Sequence, residues 1–278
     1  MTPHPSDPPG PDSHARLQDA RVLITGASAG IGRSCARVFA TRGAHLVLLA
    51  RRLDRLRDLR DDLRDRYGVD VHVFGLDVRD RTGVDDLVAE LESENLLPDI
   101  LINKAGLSRG LDPLHEGRVQ DWEEMLDTNV KGLLYMSRAI LPYMVERDSG
   151  HVINVGSIAG HIVYPRGNVY NASKFAVRAL TEGMNLDLVG TRIRVSTVDP
   201  GLVETEFSRV RFRGDDERAD EVYRGYTPLS PHDVADVIAY VAGAPPHVNI
   251  FQTVVYPTDQ RSPFVLHRSS PDQDEAGT

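Results

Sequence analysis

Cysteine is almost absent: Cys35 is the single thiol among 278 residues. No intrachain disulfide and no cysteine metal cluster can form, so a reducing cytoplasm is the expected setting. Long apolar runs are missing too. None approaches the roughly 18 residues of a membrane span, and the first residues lack the basic start and apolar core of an export signal. Positive charge is not in excess, because the formal net charge is −9. That balance gives no general attraction to nucleic acid or to an anionic membrane surface, and neither partner is expected. His72, His151 and His247 show no metal-ligand spacing, and no metal is expected. Lysine is scarce, 3 against 29 arginines. The arginine bias says nothing about activity, but two of the three lysines, Lys104 and Lys174, fall inside motifs.

At this length, 41% hydrophobic and 26% charged residues suit one large α/β domain. Short runs rich in Val, Ile and Leu occur at 21–25, 45–50, 71–76, 99–103, 151–156, 193–198 and 249–255. Several are almost continuously apolar, as strands covered on both faces should be. Helical periodicity separates them at 30–42, 53–66, 81–95, 120–147, 168–189 and 231–243. In 53–66 the leucines at 53, 56, 59 and 63 form one stripe on a charged helix. Strands alternating with helices imply right-handed crossovers and a parallel sheet. The expected fold is a single-domain α/β Rossmann-type doubly wound sheet of about seven strands. Residues 1–18 and 269–278, rich in Pro, Asp, Ser and Gly, are expected to be disordered tails around a domain spanning 19–268.

Two motifs carry chemistry. Gly26, Gly30 and Gly32 follow the strand 21–25 and open the next helix, the context in which a tight glycine turn and a helix N-terminus cradle a pyrophosphate. The second strand ends at Ala50-Arg51-Arg52 without the acidic residue that grips a ribose 2′-hydroxyl. Arginines there suit a 2′-phosphate, so NADP is expected rather than NAD. Asp77-Val78 could meet the adenine, and Asn103-Lys104-Ala105-Gly106 puts small residues where a cofactor ribose would pass. Far downstream, Tyr170 and Lys174 stand four apart on one face of a helix. A free tyrosine titrates near 10, and a neighbouring ammonium favours the phenolate, making Tyr170 a proton exchanger. Trp122, Met125 and Leu126 read as helix packing.

The ordered set TGASAGIG, LDV, NKAG, TNVKG, GSIAG, Y-x-x-x-K and DPG resembles the classical short-chain dehydrogenase/reductase family over roughly residues 20–260. The runs DWEEMLDTNVKGLLYMSRAILPYMVER, GNVYNASKFAVR and PGLVETEFSRVRFRGDD resemble its NADP-dependent 3-hydroxy acid dehydrogenases, which act on serine, L-allo-threonine or 3-hydroxypropionate and malonic semialdehyde. The resemblance implies a catalytic tetrad of Asn129, Ser157, Tyr170 and Lys174. Ser157 would steady the substrate oxygen, Lys174 would hold the nicotinamide ribose, and Asn129 would hold a water linking the lysine to solvent. It also implies cofactor contacts at Gly26, Ser28, Ala29, Gly30, Ile31, Gly32, Arg51, Arg52, Asp77, Val78, Asn103, Ala105, Gly106, Pro200, Gly201, Val203 and Thr205, and a homotetramer. One departure stands out, because the family usually has Asn-Asn-Ala-Gly where this chain has Asn103-Lys104-Ala105-Gly106. A Lys104 facing the cofactor would compete with Lys174; the expectation is that only its backbone matters and the side chain reaches solvent.

A 3-hydroxy acid carries a carboxylate, which arginine recognises through paired N–H donors. Arg109, Arg166, Arg211 and Arg213 are the candidates. Residues 202–228, with Gly214, Asp215, Asp216 and Gly225, read as a mobile lid, and His161 to Tyr164 as pocket lining. The alternatives are an NADPH-dependent reductase of an uncharged ketone, sugar or acyl-thioester, and a non-catalytic NADP-sensing protein.

Overall fold

A computed structural model describes residues 15–269. Seven parallel strands form one sheet in the order β3-β2-β1-β4-β5-β6-β7. They are β1 Arg21–Thr25, β2 His45–Ala50, β3 Val71–Gly75, β4 Ile100–Asn103, β5 Gly150–Val155, β6 Ile193–Pro200 and β7 Gln252–Val255. The helices are α1 Gly30–Thr41, α2 Leu53–Tyr67, α3 Arg81–Ser93, α4 Val119–Leu126, α5 Gly132–Glu146, α6 Asn168–Asp187, α7 Phe207–Arg211, α8 Asp216–Glu221 and α9 Pro231–Ala242. The strand order reverses between β1 and β4, which opens a crevice at the carboxyl ends of the strands.

Alternation along the strands feeds two cores. Val22, Ile24, Leu46 and Leu48 pack with Phe39, Leu56 and Ile238 of α1, α2 and α9. Leu23, Val47, Leu49 and Leu101 turn the other way, onto Leu87, Met136 and Ile140 of α3 and α5. Both sheet faces are therefore dry, which is why these strands read as unbroken apolar runs. The α2 stripe behaves as its periodicity requires, with Leu56, Leu59 and Leu63 buried.

Three expectations need correcting. Residues 15–18 belong to the fold: Leu17 is 1% exposed in the first core, and Arg16 Nε donates to Gly243 O at 2.7 Å. Ser269, the first residue of the other expected tail, donates its N–H to Gly225 O at 2.7 Å, and the remainder of both tails, 1–14 and 270–278, lies outside the described residues. The long helix over 120–147 is interrupted by a π-helical turn at Asp127–Lys131 between α4 and α5. Met125 is buried as expected, whereas Leu126 is 40% exposed.

Candidate functional site

A cavity of 640 Å³ runs across the carboxyl ends of the strands. At one end lies the turn between β1 and α1. Gly26 (φ +67°) and Gly30 (φ +51°) adopt the left-handed conformation that glycine tolerates, and a Cβ on Gly32 would overlap the Gly26 carbonyl. Ser28, Ala29, Gly30 and Ile31 line the cavity, while Gly26 and Gly32 shape the turn from behind.

Arg51, Arg52, Asp77, Val78, Ala105 and Gly106 continue the wall. Arg52 Nε and Nη2 donate to Ser28 Oγ at 3.3 and 3.2 Å, which brings the end of β2 to the glycine turn. Arg52 Nη1 also meets Glu206 at 3.0 Å, and Arg55 meets the other oxygen of the same carboxylate at 2.8 Å. These two cations hold the Glu206 carboxyl below its ordinary range against the opposing effect of burial. Nothing in the local sequence pattern pointed to Arg55 or Glu206. Asp77 is engaged by Arg79, whose Nε and Nη2 reach its carboxylate at 3.0 and 2.6 Å.

Asn103 departs from the expected cofactor-lining role. Its Nδ2 donates to Ser137 Oγ and Asn154 Oδ1, both at 3.0 Å, so the side chain ties β4 to α5 and β5 beneath the cavity. The expectation for Lys104 is also overturned, because its side chain lies in the cavity wall rather than in open solvent. Burial lowers its pKa, with the Arg52 charge lowering it further while Cys35 and Glu206 oppose.

The other end gathers Ser157, Tyr170 and Lys174 in the same wall. Ser157 follows β5 and accepts from Ala159 N at 3.1 Å, capping a short 3₁₀ turn at Ile158–Gly160. Tyr170 and Lys174 come from the first turns of α6, the ammonium 6.0 Å from the phenol ring centroid. Lys174 Nζ donates to Val155 O at 3.0 Å. Burial brings its pKa down to about 8; the Asp199 carboxylate opposes that shift, and Lys104 adds to it. Burial and the Tyr164 hydroxyl push the Tyr170 phenol up, while a Ser157 hydrogen bond and the Arg211 charge pull it down. Two cations thus flank the phenol ring, Arg211 at 5.6 Å and Lys174 at 6.0 Å from its centroid.

Asn129 sits in the π turn, beside the cavity rather than in its wall. Its Nδ2 donates to Leu107 O at 2.8 Å and Ser173 Oγ at 3.0 Å, and its Oδ1 accepts from Leu107 N at 2.8 Å. The side chain clamps the loop after β4 to α6.

Pro200, Gly201, Val203 and Thr205 close the cavity from the end of β6, and Thr205 packs on Gly30. The following segment contains the short helices α7 and α8. Tyr223 anchors it, its hydroxyl bonded to Val203 O at 2.9 Å and Ser208 Oγ at 2.7 Å. Phe207 lies over the reactive end, its ring 5.7 Å from that of Tyr170. Of the stretch His161 to Tyr164, only Tyr164 reaches the cavity. His161 turns back to Asp199, Nε2 to Oδ2 at 2.7 Å.

The four candidate arginines separate clearly. Arg109 is bidentate on Glu124 at 2.7 and 3.2 Å, and Arg213 is paired with Asp121. Arg166 borders a separate small cleft. Arg211 alone of the four lines the main cavity. Its Nη2 donates to Tyr164 OH at 2.8 Å and its Nε to Gly110 O at 3.2 Å, and its guanidinium carbon is 5.6 Å from the Tyr170 ring centroid.

Residues 20–216 match the short chain dehydrogenase family. The chain belongs to that family. An NADP-dependent 3-hydroxy acid dehydrogenase of Salmonella typhi is 46% identical over 250 residues, covering 89% of this chain and 99% of the relative. Sulfoacetaldehyde reductase 2 of Chromohalobacter salexigens is 43% identical, covering 89% and 98%. Among solved structures, the closed form of a serine dehydrogenase complexed with NADP+ superposes with a TM-score of 0.83 at 44% identity, covering 90% of this chain and all of that one. This short-chain dehydrogenase is accordingly an oxidoreductase. Among the described residues no cluster of three or more metal-ligating side chains occurs, and no helix is long and apolar enough to cross a membrane.

Proposed function

We propose that this enzyme interconverts a small 3-hydroxy acid and its 3-oxo counterpart with NADP(H). The observation that carries the substrate class is Arg211: a guanidinium beside Tyr170, bonded to a phenol and a carbonyl, with no carboxylate partner among the described residues. A charged group held in a half-buried wall without a counter-ion favours an anionic ligand. The names of the two relatives point the same way, since a 3-hydroxy acid and sulfoacetaldehyde both carry an anion close to the reacting carbon.

The cavity fits the dinucleotide. Its glycine turn has no room for a Cβ at Gly32, and Ser28, Arg51 and Arg52 converge where a 2′-phosphate would need donors. No acidic residue ends β2 to oppose that phosphate. A bound nicotinamide supplies or accepts the hydride. Tyr170 gives its phenolic proton to the substrate oxygen in reduction and takes the hydroxyl proton in oxidation. Ser157 donates a hydrogen bond to the same oxygen and stabilises the charge that develops there. Lys174 holds the ribose hydroxyls, and Asn129 keeps the π turn in register so that a water bonded to its backbone can relay protons between Lys174 and solvent. Arg211 fixes the carboxylate, which orients the reacting carbon.

Burial of Tyr170 keeps the phenol protonated at neutral pH. The acid form needed for reduction is therefore abundant, and the base form needed for oxidation becomes so only as pH rises. We infer a homotetramer as well, supported by the exposed Leu126, Leu134 and Phe175 on α4, α5 and α6, and a cytoplasmic setting as the sequence suggests. The direct test offers L-serine, 3-hydroxypropionate and uncharged alcohols with NADP+ while following reduced nicotinamide. Turnover confined to the acids supports the proposal. Turnover of the alcohols alone would move the enzyme to the uncharged-ketone class, and no turnover of any substrate would favour a sensor.

A further inference from the structure

Lys104 stands where the family ordinarily has asparagine, and the fold holds its side chain in a definite place. Its backbone N–H donates to Thr25 Oγ1 at 2.9 Å, which fixes the loop after β4 against the end of β1. The aliphatic stem then runs along the glycine turn, with Cδ 3.4 Å from where a Cβ on Gly26 would stand. The side chain is within electrostatic reach of Arg52 and Glu206, the pair that joins the end of β2 to the segment after β6. It is part of the cavity wall, and among the described residues its ammonium has no hydrogen-bond or ion-pair partner.

We propose that Lys104 is a phosphate ligand of the bound dinucleotide, a cation added to the glycine turn and to Arg51 and Arg52. The inference rests on the dinucleotide reading above. Desolvation makes a lone ammonium costly, and its lowered pKa is the expression of that cost. A phosphate oxygen at this position removes the cost and gains a charge-assisted hydrogen bond. Arg52 is already divided between Ser28 Oγ and Glu206, so a second nearby cation offsets the Glu206 carboxylate at the same corner. The proximity of Lys104 to Lys174 carries no disadvantage once phosphate neutralises the former.

Two phosphates lie within the scope of this site, the bridging diphosphate and the adenosine 2′-phosphate, and binding measurements separate them. Dissociation constants for NADPH, NADH, ADP and 2′,5′-ADP are measured by calorimetry on the wild-type protein, Lys104→Asn and Lys104→Arg. Lys104→Asn is expected to weaken NADPH about tenfold, with Lys104→Arg recovering most of the loss and added salt shrinking it. The melting temperature of the unliganded Lys104→Asn protein should hold or rise, because an unpaired cation has been removed. Equal losses for NADH and ADP assign the contact to the diphosphate; losses confined to NADPH and 2′,5′-ADP assign it to the 2′-phosphate. Unchanged affinities for all four ligands overturn the inference, as does a loss that arginine fails to rescue and that accompanies a lower melting temperature. A wild-type protein that binds none of the four contradicts the dinucleotide reading itself, a result distinct from either.

Discussion

At the scale of single residues, the reactive end is governed by burial. Tyr170 is 9% exposed and its phenol is held up by that burial, with Arg211 and Ser157 acting against it. Replacing Tyr170 by Phe keeps the ring packed on Phe207 and removes the proton, so turnover should vanish while NADPH still binds. Retention of most of kcat would remove Tyr170 from the acid/base role. Lys174 yields a prediction with a definite sign. Its pKa is about 8 in the folded chain against the ordinary lysine value near 10.4 in the unfolded one. Below pH 8 both states carry the proton, and burial of the charge costs the fold its full amount. Between these two values the unfolded state binds more protons, so stability rises with pH. Relative to Lys174→Met, the unliganded enzyme should gain about 3 kcal/mol from the lower to the upper limit, at 1.36 kcal/mol per unit. Chemical denaturation of both proteins across that range measures it; a flat difference would mean that Lys174 titrates normally.

At the scale of elements, what the sequence revealed was set by local geometry. The glycine turn and the Tyr170–Lys174 pair depend on short-range spacing, and both assemble in the cavity wall or directly behind it. Contacts made at long range left no such trace. Glu206 lies more than 150 residues from Arg52 and Arg55, and Arg211 reaches Tyr164 across 47. No periodicity could separate Arg211 from Arg109 and Arg213, because only tertiary pairing with Glu124 and Asp121 takes those two out of contention. The π turn at Asp127–Lys131 was hidden for a different reason: a one-residue widening leaves the apolar pattern of a helix nearly intact. At the β2–α2 junction, exchanging Arg51 and Arg52 for Ala should weaken NADP+ far more than NAD+, each lost charge-assisted contact being worth about 1.5–3 kcal/mol. Equal losses for the two cofactors would show that neither arginine reads the phosphate.

At the scale of the whole molecule, the seven-stranded parallel sheet was legible because both of its faces are covered and its strands are accordingly apolar throughout. The domain edge was less so. Leu17 follows a polar, proline-rich stretch that offers no pattern, yet it is fully enclosed in the α1–α2–α9 core. Leu17→Ala should therefore cost about 2–5 kcal/mol of unfolding free energy, the range for emptying a leucine site in a core. A loss below 1 kcal/mol would place Leu17 outside the cooperative unit.

The central claim joins a fold that presents Tyr170, Ser157 and Lys174 to a substrate whose anion meets Arg211. Its most direct measurement compares kcat/KM for 3-hydroxypropionate with that for its methyl ester, in the wild-type enzyme and in Arg211→Met. The ester keeps the reacting hydroxyl and loses the charge. The ester forfeits a charge-assisted contact to an arginine in a half-buried wall, worth about 1.5–3 kcal/mol, so the wild-type enzyme should favour the acid by about tenfold to a hundredfold. Arg211→Met should collapse that preference by lowering the rate on the acid far more than the rate on the ester, whose smaller loss reflects the charge removed from beside the Tyr170 phenol. Equal rates for acid and ester in the wild-type enzyme, or a preference that survives the loss of Arg211, would contradict the account.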